Sequence, residues 1–223
     1  MPAGIAAVLF DLDGTLIDSA PDLAGAANAL LAAQGRPLLA FEALRPHAGS
    51  GARGMLKAAF GLVPGDTRYD ELRDAFLVHY EGRMLQQTTL YPAVLPVLAA
   101  LDAQGLPWAI VTNKAMRFAE PSARALGLLP RARALVAGDS TPHTKPHPAP
   151  LLEAALRIGQ DPARCVYVGD DPRDVRAGRA AGMATLAAAW GYLGVEAPPS
   201  AWGADQVLDH PAQLLQWLEK PGC

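Results

Sequence analysis

An apolar run that leads directly into two acids is the feature that most constrains the fold of this chain. Residues 5–9 (IAAVL) are followed at 10–16 by the motif FDLDGTL. Such a run is typical of a buried strand in a parallel sheet, where functional side chains gather at the carboxyl end. In extended backbone Asp11 and Asp13 point the same way, and Gly14 allows a sharp turn out of the strand. Because two carboxylates on one face repel each other, we expect either a bound cation or different pKa values for the two groups.

The motif at 10–16 resembles the first motif of the haloacid dehalogenase-like superfamily, in the form found in its phosphatases. The resemblance implies that Asp11 attacks phosphorus and forms an aspartyl-phosphate, and that Asp13 is the general acid and base. Two solvated acids in a turn are the ordinary alternative. The complete string with its apolar lead is much more specific than an acid pair, so we predict a phosphatase.

Two further polar motifs follow in the order that the family has. Thr112 and Asn113 lie at the end of a predicted strand, and the resemblance implies that they bind the phosphoryl group of the substrate. Lys145 opens the sequence KPHP and resembles the third motif, whose lysine neutralises the nucleophile and the transferred phosphate. Alone, such a threonine is usually a helix cap and such a lysine a surface residue. Their order after the first motif favours catalytic roles for Thr112 and Lys145.

The sequence VGDDPRD ends a second predicted strand in acids and resembles the fourth motif. Magnesium prefers a few hard oxygen ligands together with water and phosphate. The resemblance implies a Mg²⁺ site formed by the carboxylates of Asp11 and Asp170 and the backbone carbonyl of Asp13. Asp171 and Asp174 are expected to support this site from its second layer. Equally, they fit acids that complement the dipole of the following helix, and the two interpretations are compatible.

The alternation of strands and helices after about residue 90 predicts an α/β fold. The resemblance implies a Rossmann-like core, a parallel sheet flanked by helices, formed by residues 1–17 and 89–223. Residues 18–88 show only helical periods, so we predict an inserted all-helical cap with hinges near 16–18 and 86–90. Strands are predicted at 106–112, 132–137, 165–169, 183–189 and 206–208; helices of the core at 115–126, 149–158, 172–181 and 211–220; helices of the cap at 21–34, 41–47, 52–60 and 69–85.

A glycine-rich segment at 49–54 (GSGARG) fits the pattern G-x-G-x-x-G of dinucleotide sites. That fingerprint requires a preceding strand, and the residues before this segment have a helical pattern, so we reject a dinucleotide site. The segment lies in the predicted cap, where members of the family place a loop that contacts substrate. Arg53 is therefore a candidate for binding an anionic part of the substrate, and a solvated surface arginine is the alternative. Arg117 has the same two interpretations.

Composition narrows the partners and the compartment. The 223 residues carry a net charge of −3, which argues against a broad basic surface for nucleic acid. The sequence contains neither an apolar stretch long enough to span a membrane nor a signal-peptide pattern. Two cysteines, Cys165 and Cys223, do not suggest a disulfide framework. We therefore expect a cytoplasmic monomer or homodimer that acts on a small phosphorylated metabolite and binds neither nucleic acid nor membrane.

Within the superfamily the chain resembles the phosphoglycolate phosphatase group. Stretches at 111–114, 117–121, 169–182 and 202–205 resemble more closely a subgroup acting on N-acetylmuramate 6-phosphate. Both esters are candidate substrates. A hydrolytic dehalogenase of the same fold typically lacks the second acid, so Asp13 argues against it. A sugar phosphomutase on the same scaffold is compatible with Asp11 and Asp13. A phosphate-binding module without activity is the alternative from another class, but all the residues that carry the chemistry are present.

Overall fold

A six-stranded parallel sheet forms the centre of the molecule. The computed structural model describes residues 4–195 and 197–219. The strands are β1 (Ala7–Phe10), β2 (Ile17–Asp18), β3 (Thr89–Leu90), β4 (Trp108–Val111), β5 (Leu135–Val136), β6 (Cys165–Gly169), β7 (Ala184–Ala188) and β8 (Gln206–Leu208). The strand order in the six-stranded sheet is β5-β4-β1-β6-β7-β8, and it reverses beside β1. This reversal places the predicted site at the position where open α/β sheets bind ligands. The predicted α/β fold with a parallel sheet is confirmed.

Helices cover both faces of this sheet and form a further layer above its carboxyl edge. They are α1 (Ala20–Ala33), α2 (Phe41–Leu44), α3 (Gly51–Phe60), α4 (Tyr69–Glu81), α5 (Val94–Ala103), α6 (Met116–Ala125), α7 (Ala149–Arg157), α8 (Pro172–Ala180) and α9 (Gln213–Glu219). The central position of β1 in the sheet explains why its sequence is apolar throughout. Val8 and Phe10 pack into one apolar cluster, whereas Ala7 and Leu9 pack into another, so both sides of the strand are buried.

Helices α1 to α4 form a separate layer above the carboxyl edge of the sheet. They pack around their own apolar cluster, which includes Leu30, Leu56, Leu72 and Phe76. The two chain segments that join this layer to the sheet pair as the antiparallel strands β2 and β3. Beside them, the buried carboxylate of Asp22 accepts hydrogen bonds from the backbone of residues 87 and 88. The division into a core and a cap at 18–88 stays a prediction.

Several element boundaries differ from the predicted ones. The core helix α5 was not predicted, because Pro92 and Pro96 interrupt its pattern, although Pro96 lies in the first turn, where proline is tolerated. The predicted cap helix at 69–85 ends at Glu81. The predicted helix at 41–47 is α-helical only to Leu44 and continues as a 3-10 helix over Arg45–Ser50.

The remaining differences concern the ends of elements and the cysteines. The strand at 132–137 shortens to β5, and the closing helix begins at Gln213 instead of residue 211. Residue 220, the predicted end of that helix, and Cys223 lie outside the described residues. Cys165 is a buried free thiol on β6. Within the described ranges, no helix is both long and apolar enough to cross a membrane.

Candidate active site

The ends of β1, β4 and β6 and the loop that carries Lys145 meet beneath helices of the inserted layer. Between them lies a cavity of about 330 Å³. The strand ends and the loop of Lys145 supply most of its polar lining, whereas the insert and α6 supply most of its apolar lining. The polar lining includes Asp11, Asp13, Thr112, Asn113, Lys114, Lys145, Asp171 and Asp174, and the apolar lining includes Leu23, Ala48, Phe76, Leu77 and Phe118.

Lys145 is the centre of the charged network at the bottom of this cavity. Its ammonium lies 2.9 Å from Asp11 Oδ1 and 2.7 Å from Asp174 Oδ1. It also donates hydrogen bonds to the hydroxyl of Tyr167 and the carbonyl of Val111. Burial alone would lower the pKa of Lys145, but the two carboxylates raise it above its usual value. The lysine is therefore a fixed positive charge beside Asp11.

Asn113 positions the loop that carries Lys145. Its amide nitrogen donates to the Lys145 carbonyl and its amide oxygen accepts from the Lys145 backbone nitrogen, both at 2.9 Å. The neighbouring Thr112 hydroxyl lies at the end of β4, is buried and accepts a 3.2 Å hydrogen bond from the backbone of Lys114. Both predicted residues thus line the cavity, and Asn113 also holds the loop in place.

Asp13 turns its carboxylate toward Lys114 and Ser19. The Lys114 ammonium lies 2.9 Å from Oδ1 and 3.2 Å from Oδ2, and the Ser19 hydroxyl donates to Oδ1. The same ammonium donates a 2.7 Å hydrogen bond to the hydroxyl of Tyr80 on α4. Burial would lower the pKa of Lys114, but Asp13 and Tyr80 raise it above its usual value. Asp13 and Lys114 therefore form a nearly buried ion pair.

Asp170 is enclosed at the end of β6. Its carboxylate accepts hydrogen bonds from the Thr15 hydroxyl at 3.2 Å and from the Tyr192 backbone nitrogen at 2.8 Å. A Cβ atom at Gly14 would lie 2.1 Å from this carboxylate, and one at Gly191 would lie 2.3 Å from its Cβ, so both positions require glycine. Burial, and then the charge of nearby carboxylates, raises the pKa of Asp170 well above its ordinary value.

Three carboxylates come close enough to hold one metal ion. Oxygen atoms of Asp11, Asp170 and Asp174 all lie within 4.8 Å of one another. Burial raises the pKa of Asp174 to about 7, although Lys145 opposes the shift. The side chain of Asp13 points away toward Lys114, which is compatible with the prediction that it contributes only its carbonyl. Three hard oxygen donors with a single lysine among them fit a divalent cation.

Asp171 and Asp174 also begin helix α8. The side chain of Asp171 accepts from the backbone of Arg173, and Asp174 Oδ2 accepts from the backbone of Asp171, which together form a capping box. The Arg173 guanidinium bonds Asp171 and also donates to the carbonyl of Gly49 in the inserted layer at 2.8 Å. The helix-terminal interpretation of both acids is thus confirmed, while a contact with the metal stays a prediction.

Two exposed arginines line the upper part of the cavity, Arg53 from α3 and Arg117 from α6. Among the described residues neither guanidinium has a hydrogen-bond or ion-pair partner, although that of Arg117 lies 4.5 Å from the ring of Phe118. The glycine-rich segment at 49–54 begins in the 3-10 helix Arg45–Ser50 and continues into α3. It therefore lacks the preceding strand that a dinucleotide site requires. Both arginines are available to an anionic ligand.

A family model of haloacid dehalogenase-like hydrolases matches residues 5–182. The chain belongs to this family. It is 42% identical to the N-acetylmuramic acid 6-phosphate phosphatase of Pseudomonas aeruginosa over 97% of this chain and 96% of that protein. It is 45% identical to the phosphoglycolate phosphatase of Xanthomonas campestris over 94% of this chain and 95% of that protein.

A crystal structure of a predicted phosphoglycolate phosphatase from Haemophilus somnus has the same fold as this haloacid dehalogenase-like hydrolase. The TM-score is 0.85 at 29% identity, covering 96% of this chain and 98% of that one. Together with the family match, this likeness confirms the predicted family, the core fold and the enzyme class, a hydrolase whose relatives are phosphatases.

Sequence patterns did not assign roles to several residues of this hydrolase that meet Asp13 or the junction of the two layers. Lys114 belongs to the second motif, two residues after Thr112, and this position is the sequence signal that could have indicated a role for it. Ser19 and Tyr80 contact the Asp13–Lys114 pair. The Tyr192 hydroxyl accepts from the backbone nitrogens of residues 19 and 20. Tyr80 and Tyr192 lie far from the motifs along the chain, so no local pattern could have identified them.

Proposed function

We propose that this chain hydrolyses a small phosphomonoester with Asp11 as the nucleophile and Asp13 as the acid and base. The observation that carries the proposal is the placement of Asp11 beside the buried ammonium of Lys145, at the open end of β1. The ammonium holds this carboxylate in place on the floor of the cavity, where a phosphoryl group can approach it. We also propose that the substrate is a small phosphorylated metabolite of the cytoplasm and that the enzyme is a monomer or a homodimer.

The reaction proceeds in two displacements. Asp11 attacks phosphorus in line, and the bond from phosphorus to the leaving oxygen breaks as Asp13, which enters this step in its protonated form, gives that oxygen its proton. Asp13 then takes a proton from water, which attacks the aspartyl-phosphate and releases inorganic phosphate and free Asp11. Thr112 and Lys145 stabilise the negative charge on the transferring oxygens. Asn113 lies beside the phosphoryl position, and its bonds to the Lys145 backbone fix the distance between lysine and nucleophile.

We assign Mg²⁺ to the carboxylates of Asp11 and Asp170 and the backbone carbonyl of Asp13. Asp171 and Asp174 support this set from its second layer, and Asp174 lies close enough to join it. When bound, the ion neutralises the acids and polarises the phosphoryl oxygens of the substrate. These residues fit a cation because burial and neighbouring carboxylates raise the pKa values of Asp170 and Asp174 when no cation is bound. A bound cation would offset that crowding of negative charge.

Removal of the metal is expected to make stability fall as the pH rises from about 4 to about 7. In the unfolded chain Asp174 ionises near pH 4, whereas in the folded protein it keeps its proton to about pH 7. The folded state therefore binds more protons over this range, and its free energy of unfolding decreases with pH. Thermal unfolding in EDTA, compared between wild type and Asp174→Asn, isolates this group. Added Mg²⁺ is expected to restore most of the lost stability at pH 7. A wild-type-minus-variant difference that rises with pH in EDTA would contradict the assignment.

The shape of the cavity favours a substrate larger than phosphoglycolate. Its volume of about 330 Å³ lies in the range of about 300–1,000 Å³ that is typical of pockets for drug-sized ligands. Its apolar wall, formed by residues such as Phe76, Leu77 and Phe118, suits a leaving group with methyl substituents. Arg53 and Arg117 suit a carboxylate at the far end. We therefore propose a phosphorylated sugar acid such as N-acetylmuramate 6-phosphate, with 2-phosphoglycolate as the second candidate.

Arg53→Ala is expected to raise KM about tenfold for an ester that carries a carboxylate, because a charge-assisted hydrogen bond contributes roughly 1.5–3 kcal/mol. An ester of a neutral sugar is expected to keep its KM. Lys57→Met is the matched control, since Lys57 is an exposed cation on the same helix α3 and does not line the cavity. An equal rise of KM for both classes of ester would remove Arg53 from carboxylate recognition.

The function is tested by Mg²⁺-dependent phosphate release from a panel of three esters: N-acetylmuramate 6-phosphate, 2-phosphoglycolate and glucose 6-phosphate. We expect the highest kcat/KM for the sugar acid and loss of release in EDTA. Analysis of the sugar products checks the mutase alternative, because a mutase would move the phosphate to another position instead of releasing it. Absence of release from every ester by folded protein would refute the phosphatase proposal.

A further inference from the structure

Lys114 connects the inserted layer to the proposed acid and base. It follows β4, and its ammonium contacts both carboxylate oxygens of Asp13 and the hydroxyl of Tyr80 on α4. Its side chain is 8% exposed and that of Asp13 is 16% exposed. Within residues 4–195 and 197–219 no second cation pairs with Asp13, so the orientation of its carboxylate depends on Lys114 and on the Ser19 hydroxyl.

Tyr80 is itself held firmly by the inserted layer. Its ring stacks on Phe76 with centroids 6.3 Å apart and meets the edge of Phe118 at 5.4 Å. Phe118 belongs to α6, which covers the sheet, whereas Phe76 and Tyr80 belong to α4. In this structure the packing of α4 against α6 brings the Tyr80 hydroxyl within hydrogen-bond distance of Lys114. The distance from Tyr80 to Lys114 reports the position of the insert at the site.

We propose that Lys114 is a positioning residue that aims the Asp13 carboxyl group at the leaving oxygen when Tyr80 brings the insert over the site. The inference rests on the proposed function, since it gives Asp13 the proton-transfer role. In the first displacement the proton passes from Asp13 to the leaving oxygen as its bond to phosphorus breaks. Correct placement of that donor matters because a displacement of about 1 Å can cost on the order of a hundredfold in rate.

The leaving group of the substrate tests this role directly. An alkyl ester needs a proton on its departing oxygen, whereas p-nitrophenyl phosphate releases a stable anion that needs little protonation. The quantity to measure is kcat/KM, because it covers only the steps up to departure of the leaving group. Lys114→Met is expected to lower kcat/KM about tenfold or more for the alkyl ester and by less than about threefold for the aryl ester. A general loss of structure would lower both equally.

Two further variants complete the experiment. Tyr80→Phe removes only the hydroxyl and is expected to give the same dependence on leaving group with a smaller amplitude, which also serves if Lys114→Met unfolds. In an Asp13→Asn background, Lys114→Met is expected to cause little additional loss, because both changes act on one proton transfer. Lys57→Met, which removes an exposed lysine, is expected to leave both esters unaffected.

Two results would overturn the proposal while leaving the proposed function intact. One is an equal fall of kcat/KM for both esters in folded Lys114→Met and Tyr80→Phe. The other is a fully additive loss in the double variant with Asp13→Asn, which would mean that Lys114 acts on the substrate and not through Asp13. Failure of the wild-type protein to release phosphate from any ester would instead refute the function itself.

Discussion

Asp11→Asn is expected to lower kcat on the order of 10⁴-fold or more for every ester, as loss of a nucleophile does in other hydrolases. The amide has nearly the same shape as the carboxylate but is a poor nucleophile. Lys145 keeps its 2.7 Å contact with Asp174 in the variant, so the loop that carries it is expected to stay in place. Steady-state phosphate release in the presence of Mg²⁺ measures the loss.

The matched control for this change is Asp209→Asn, which alters an exposed acid in the segment between β8 and α9. It is expected to keep wild-type kcat. Thermal unfolding of Asp11→Asn, which removes one of three crowded carboxylates, is expected to show a fold at least as stable as the wild type in EDTA. Residual turnover within about tenfold of wild type would mean that water attacks phosphorus without a covalent step through Asp11.

The sequence predicts the site wherever a short stretch of chain carries both the strand and its functional residue. Asp11 and Asp170 end apolar runs that become the adjacent strands β1 and β6, which pair in parallel over four residues each. The carboxyl ends of adjacent parallel strands lie side by side, so a local pattern is sufficient to bring these two acids together. Lys145 needed the family resemblance, because a lysine in a loop has no periodicity that indicates burial.

Other parts of the site depend on contacts between distant segments. Lys114 and Asp13 are 101 positions apart, and Tyr80 reaches them from a helix of the insert. The glycine at 191 is required because the Asp170 side chain occupies the space of its Cβ atom, and nothing near residue 191 in the sequence indicates that neighbour. Such features arise from the packing of segments that are distant in the sequence. Local sequence patterns therefore do not predict them.

Lys145→Met is expected to lower activity strongly and to weaken the fold at the same time. Lys145 is 4% exposed and its ammonium lies between Asp11 and Asp174, so its removal leaves the buried carboxylates without their nearest positive charge. Breaking a buried ion pair in this way typically costs about 3–5 kcal/mol. Loss of a charge that stabilises the transferring oxygens typically lowers kcat on the order of 10²–10³-fold. Denaturant unfolding in EDTA and in Mg²⁺, together with phosphate release, measures both effects.

The double variant Lys145→Met with Asp174→Asn separates the two effects of this lysine. Well above pH 7, where Asp174 is ionised in the metal-free protein, asparagine removes one negative charge while its amide oxygen can still accept the hydrogen bond from the Asp171 backbone that begins α8. Stability in EDTA is therefore expected to recover toward the wild-type value, because the charge balance is restored. Activity is expected to stay low, because Asp11 and the transferring phosphate still lack the ammonium. Recovery of both stability and activity would show that Lys145 acts only through charge balance. Recovery of neither would mean that the hydrogen bonds of Lys145 to Tyr167 and Val111, and not its charge, stabilise the fold.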